Sequence, residues 1–173
     1  MASTQRKTSA AAGPDAIELL IADHKKVKAL FKQYKKLAEE GGAAAQKREL
    51  ALQICQELTV HTQIEEEIFY PAARRFLEEK DLVDEATVEH ASAKDLIEQI
   101  QSMQPREKLY DAKVIVLGEY VEHHIKEEQN EMFPQIKAAG VDLQKLGAKL
   151  LQRKNALLSE LGLLEEEEEA IEA

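Results

Sequence analysis

Four amphipathic stripes, each with one histidine near its middle, limit most strongly what this chain can fold into. The first runs Ile17, Leu20, His24, Val27, Phe31, Tyr34, and the second Leu50, Ile54, Leu58, His61, Glu65, Ile68, Ala72. The third runs Val83, Ala86, His90, Ala93, Ile97, Ile100, and the fourth Tyr110, Val114, Leu117, Val121, His124, Glu128, Met132. Steps of three and four keep side chains on one face of a helix with about 3.6 residues per turn. Gly (7) and Pro (4) are scarce and Trp is absent, so little in the chain interrupts helices. The expected fold is all-α: an up-down four-helix bundle with an additional C-terminal helix.

Breakers divide the chain. Residues 1–13 read as a disordered arm, 14–140 as the bundle, 141–162 as the C-terminal helix and 163–173 as an acidic tail. Within the bundle, helices are expected from Asp15 to Glu40, Ala44 towards Pro71, Asp81 to Met103 and Glu107 to Pro134. Asp81 is the expected cap of the third. Pro71 and Pro134 should kink or end their helices, with remnants to about Glu79 and Ala138.

An internal repeat carries the chemistry. His61-Thr-Gln-Ile-Glu65 leads to Phe69-Tyr70-Pro71, and His124-Ile-Lys-Glu-Glu128 leads to Met132-Phe133-Pro134. Asp23-His24 in the first helix answers Glu89-His90 in the third. The chain thus reads as two helical hairpins, each bringing one His on its first helix and His-x-x-x-Glu on its second. His and Glu at i and i+4 are neighbours on one face. A buried carboxylate costs several kcal/mol unless paired. Two of them, at matching positions beside four imidazoles, need a shared cause, and metal charge supplies one. Imidazole with carboxylate suits iron, manganese or zinc, and carboxylates can bridge two ions. Four imidazoles and two bridging carboxylates give about eight bonds. Two octahedral ions need about twelve, of which a shared oxo or hydroxo bridge fills two.

On those residues the sequence resembles the hemerythrin-like HHE cation-binding family, from about Asp15 to Ala138. The resemblance implies a non-haem di-iron centre with ligands His24, His61, Glu65, His90, His124 and Glu128, the two glutamates bridging. Oxygen-carrying members have a further His one turn after the first on helix 3. Here that position is Lys94, which implies a more open centre and counts against reversible oxygen transport.

Other residues read as follows. His123 also begins a His-x-x-x-Glu, with Glu127, but lies about 100° round the helix from the stripe. Glu66 and Glu67 read as solvated surface charges. Tyr70, Phe69 and Tyr120 read as core or rim aromatics, with Tyr120 the first to test for a redox role. Cys55, the single cysteine, excludes an internal disulfide and reads as a small core residue. Glu-x-x-His and His-Glu-x-x-His are absent, which argues against a ferritin-type store and a zinc protease.

The net charge is −10 and no basic patch stands out, so nucleic acid is not an expected partner. No apolar run is long enough to span a bilayer, and the setting is expected to be cytoplasmic. The expected function is a di-iron protein binding or reacting with dioxygen, hydrogen peroxide or nitric oxide, with enzymatic turnover left open. The alternative is a non-catalytic iron or oxygen sensor, an iron donor or a metal store. The leucines of the last helix, from Leu143 to Leu161, either cap the bundle or mediate self-association.

Overall fold

The computed structural model describes residues 12–163. The expected arm therefore falls largely outside the described residues, and the acidic run from Glu165 wholly so. Seven α-helical segments follow one another: α1 (Ala16–Glu39), α2 (Ala44–Ile64), α3 (Tyr70–Phe76), α4 (Asp81–Ser102), α5 (Tyr110–Glu127), α6 (Phe133–Ala138) and α7 (Leu143–Glu160). A π-turn joins α2 to α3 over Glu65–Phe69, and a second joins α5 to α6 over Glu128–Met132. Four rods result, and they form the bundle. Helix α1 packs between α2 and α5, and α4 between the same two on the opposite side.

Local sequence explains the helix ends. Asp15 caps α1 by accepting from the Glu18 N–H, while the Glu18 carboxylate accepts from the Asp15 N–H, a reciprocal capping box. Asp142 caps α7 through the Lys145 N–H. Asp81 is not a cap: Lys80 takes that place without a side-chain hydrogen bond, and Asp81 lies inside the first turn. Helix α5 starts at Tyr110 rather than Glu107; residues 105–109 form turns, in which the Glu107 carboxylate accepts from the Gln104 N–H and the Tyr110 N–H donates to the Glu107 carbonyl.

Pro71 and Pro134 do not end the rods. Proline lacks an N–H and its ring presses on the carbonyl four residues back. Each π-turn relieves that conflict just upstream. Tyr70 N–H donates to the Glu65 carbonyl and Phe133 N–H to the Glu128 carbonyl, five residues back. The irregularity therefore precedes the prolines. It also shifts the buried stripe by one residue: Phe69, Tyr70 and Ala73 are buried where Ile68 and Ala72 were expected.

The core has two apolar parts. One gathers Leu20, Ile64, Phe69, Met132, Phe133 and Ile136 with the buried face of α7. The other gathers Val27, Tyr34, Ile54, Leu58, Ile97, Val114 and Leu117. Cys55 is fully buried in the second. Helix α7 lies along α1 and α2, and Leu146, Leu150, Leu157 and Leu158 bury into the first part. Of the two alternatives for this helix, its leucines take the capping one; Leu161 stays half-exposed.

Candidate metal centre

Between the two apolar parts lies a buried polar layer. His24, His61, Glu65, His90, His124 and Glu128 are each at most 8% exposed, and they face one another. All six candidate residues therefore converge. His123 does not: its side chain is 68% exposed and pairs with Glu127, so the α5 register selects His124.

The layer has two halves. In the first, His61 Nε2 lies 3.0 Å from Glu65 Oε1, and His24 Nε2 lies 3.2 Å from Glu128 Oε2. In the second, His90 Nε2 lies 3.1 Å from Glu65 Oε2, and His124 Nε2 lies 3.4 Å from Glu128 Oε1. Each carboxylate thus gives one oxygen to each half, the disposition that bridges two cations.

Hydrogen bonds fix the imidazoles. His24 Nδ1 meets Gln129 Oε1 at 3.0 Å and His61 Nδ1 meets Asp23 Oδ2 at 3.0 Å. His90 Nδ1 meets Glu66 Oε1 at 3.1 Å and His124 Nδ1 meets Glu89 Oε2 at 2.9 Å. Amide and carboxylate oxygens only accept here, so each Nδ1 carries the proton. Every Nε2 is then aimed inward as a donor atom, the arrangement that orients metal-binding histidines.

The donor set fits a cation. His24 Nε2, His61 Nε2, Glu65 Oε1 and Glu128 Oε2 are buried without a hydrogen-bond partner, although their contacts are short. Lone pairs meeting at short range without hydrogen bonds cost free energy that a cation offsets. In the metal-free protein protons act in its place. Burial pushes the His61 imidazolium down, but Glu65 and Asp23 outweigh it and raise its pKa to about 10. Burial likewise pushes the His124 imidazolium down, but Glu128 and Glu89 outweigh it and hold its pKa well above the ordinary histidine value. Glu128 is held well below the carboxylate range, with burial overcome by His124 and His24.

The hemerythrin HHE cation-binding domain pattern matches residues 15–136, most of the described chain. The chain belongs to the hemerythrin HHE family. A DNA nickase of Nostoc sp. is 31% identical over 115 residues, 66% of this chain. The chain spans only 31% of that relative. A hemerythrin HHE domain-containing protein from Mycobacterium kansasii superposes with a TM-score of 0.71 over 86% of this chain and 90% of its own, at 22% identity. That likeness concerns the fold.

Within this HHE domain, several residues take roles that the sequence reading did not give them. Tyr70, read as a core or rim aromatic, is buried in the core and also reaches the polar layer. Its hydroxyl donates to Glu128 Oε1 at 2.6 Å and lies 3.2 Å from Glu65 Oε2, 3.1 Å from His90 Nε2 and 3.3 Å from His124 Nε2. It sits among the inward atoms of the second half. Burial, Glu128 and Glu65 raise its pKa well above the ordinary tyrosine value. Phe133, its counterpart in the other hairpin, stacks on His24 instead, with centroids 6.0 Å apart. Tyr120 is 51% exposed and lies on the rim of a cavity rather than at the donor atoms.

Glu66 is not a free surface charge. It accepts from His90 Nδ1 and is gripped by Lys94 Nζ at 2.7 and 2.6 Å. Lys94 therefore reaches the centre through Glu66. Asp23 binds His61 and is gripped in turn by Lys154 Nζ of α7 at 2.6 Å. The signal for these partners lay in the repeat. They are the residues immediately before the first histidine of each hairpin, Asp23 and Glu89, and immediately after each glutamate, Glu66 and Gln129.

Proposed function

We propose that this HHE domain holds two non-haem irons, with an oxo or hydroxo bridge, and that it binds and reacts with small oxygen or nitrogen species. Dioxygen, hydrogen peroxide and nitric oxide are the species meant. The ligands in this reading are His24, His61, Glu65, His90, His124 and Glu128.

One observation carries the choice of reactant. A cavity of about 30 Å³ opens against all four imidazoles and is otherwise walled mainly by Val27, Leu58, Ala93, Val121 and Ile125. A space of that size accommodates a small molecule such as water or a diatomic. Glu65, Glu128 and Tyr70 are not among the residues that line it.

Iron, when held by these six residues, would supply electrons and open coordination positions. The chain's own residues do the rest. The four Nδ1 hydrogen bonds hold the imidazole planes, and the apolar wall keeps bulk water off the reacting face. Tyr70 holds a proton at Oη and donates it to Glu128 Oε1 at 2.6 Å, which fixes that carboxylate from the side away from the cavity. Lys94 is tied to Glu66 and offers no nitrogen in place of the carrier-type histidine, which favours reaction over reversible carriage.

The net charge of −10 gives no footing on phosphate, and the nickase's action on DNA belongs to a protein of which this chain spans under a third. Nucleic acid is left out of the proposal. None of the described helices is long and apolar enough to cross a membrane, and a cytoplasmic site is part of the proposal.

The test is azide binding to the ferric protein, followed by stopped-flow mixing of the reduced protein with peroxide, nitric oxide and dioxygen. The expected result is a visible charge-transfer band with azide and consumption of peroxide or nitric oxide. A centre inert to all four supports storage or donation instead. Repeated uptake and return of dioxygen supports carriage.

A further inference from the structure

The inner donors of the two halves match, but the charges behind them do not. His24 rests on the neutral amide of Gln129, and its counterpart His90 on Glu66, whose charge Lys94 balances. His61 rests on Asp23, whose charge Lys154 balances. His124, the counterpart of His61, rests on Glu89, and among the described residues no Lys or Arg pairs with Glu89. Behind the first half the charges cancel; behind the second a carboxylate is left over. The Lys154 ammonium accounts for that difference, and it comes from α7 rather than from the bundle.

Lys154 is placed to act on the centre. Its side chain is 20% exposed and Asp23 is 9% exposed, so solvent screens their contact weakly. The chain of contacts is short: Nζ to Asp23 Oδ1 at 2.6 Å, then Asp23 Oδ2 to His61 Nδ1 at 3.0 Å. A carboxylate on Nδ1–H increases the donor strength of Nε2. A cation on the other oxygen of that carboxylate reduces the effect.

We infer that Lys154 is a positioning residue of the metal centre, through which the C-terminal helix fixes Asp23 and His61 and makes the first-half ion the harder of the two to oxidise. The inference rests on the di-iron reading above. It gives α7 an electrostatic role beside its apolar packing. The leucines dock the helix, and Lys154 sets the charge behind His61.

The experiment compares full-length Lys154→Met, Lys154→Arg and Arg153→Met proteins, measuring iron content and then midpoint potentials by optical redox titration. Arg153 joins α7 to Glu67 through Nε at 2.7 Å and touches none of the four outer partners of the histidines, so its loss reports helix docking alone. Lys154→Met is expected to lower a midpoint potential, since removing a nearby positive charge favours the oxidised ion. It should also bring the two potentials closer. Lys154→Arg and Arg153→Met should retain the wild-type values. Should Lys154→Met lose its iron, Gln129→Glu decides, because a carboxylate added behind His24 must lower a potential in the same direction. Unchanged potentials in iron-loaded Lys154→Met, or in Gln129→Glu, or an equal shift in Arg153→Met, would overturn the inference while leaving the di-iron reading intact. Wild-type protein that takes up no iron would overturn that reading, and this inference with it.

Discussion

The Tyr70 hydroxyl donates to Glu128 Oε1 at 2.6 Å, across from the hairpin that carries Tyr70 to the one that carries Glu128. The contact exists because of the π-turn over Glu65–Phe69. In a continuous α-helix Tyr70 would stand about 140° round from Glu65. Hydrogen bonding five residues back brings both to the same side.

Tyr70→Phe should therefore destabilise the chelated protein by about 1.5–3 kcal/mol, the value of a hydrogen bond to a charged group. Iron content should stay at the wild-type level, since Tyr70 is not among the six candidate ligands. Urea denaturation of the metal-free variant, with iron analysis of the loaded one, checks both. Equal stability would show that the hydroxyl is not held by Glu128 in solution.

The pH dependence of the metal-free fold has an unusual sign. The folded pKa of His61 is about 10, above the value near 6.5 of an unfolded histidine. The associated stability is fully present below about pH 6.5 and is lost as pH rises through about 10. The chelated protein should melt at progressively lower temperature between those limits. Metal loading should release protons and strengthen over the same range. Thermal melts of both forms from pH 6 upward test this. A chelated form that gains stability as pH rises would contradict the assigned cluster.

Docking of α7 hinges on Gly147. A methyl group there would meet the Pro14 carbonyl oxygen at 2.5 Å and the Ala16 nitrogen at 2.7 Å, both backbone atoms that cannot rotate away. Gly147→Ala should cost about 1–3 kcal/mol through overpacking. Because Lys154 rides on the same helix, iron retention should fall with it. A variant of wild-type stability would mean that α7 is not seated on the start of α1.

Burial raises the Cys55 thiol to about 11. The native protein should react with a thiol reagent at neutral pH only as fast as it unfolds, and the denatured protein at once. Rapid native labelling would place Cys55 outside the core.

The four rods and the six inward ligand candidates were legible in the sequence because they obey one periodicity, and a histidine inside an apolar stripe is conspicuous. His124 was separable from His123 on the same ground. What escaped was whatever that period does not describe. The π-turn before Pro71 shifts the register by one residue, so the buried stripe passes through Phe69, Tyr70 and Ala73 rather than Ile68 and Ala72. The outer partners Asp23, Glu66, Glu89 and Gln129 lie beside the stripe rather than on it, and a charged residue there looks solvated. Lys154 is further still from legibility. Its contact with Asp23 depends on how α7 lies along α1, which no local pattern specifies.

In the proposed centre, Glu65 and Glu128 bridge a pair of irons between two histidine pairs. Elemental analysis of protein produced in iron-rich medium tests it most directly. About two irons per chain are predicted, as required by Glu65 and Glu128 each offering one oxygen to each half. One zinc and no iron per chain, or a single iron that persists at saturation, would contradict it.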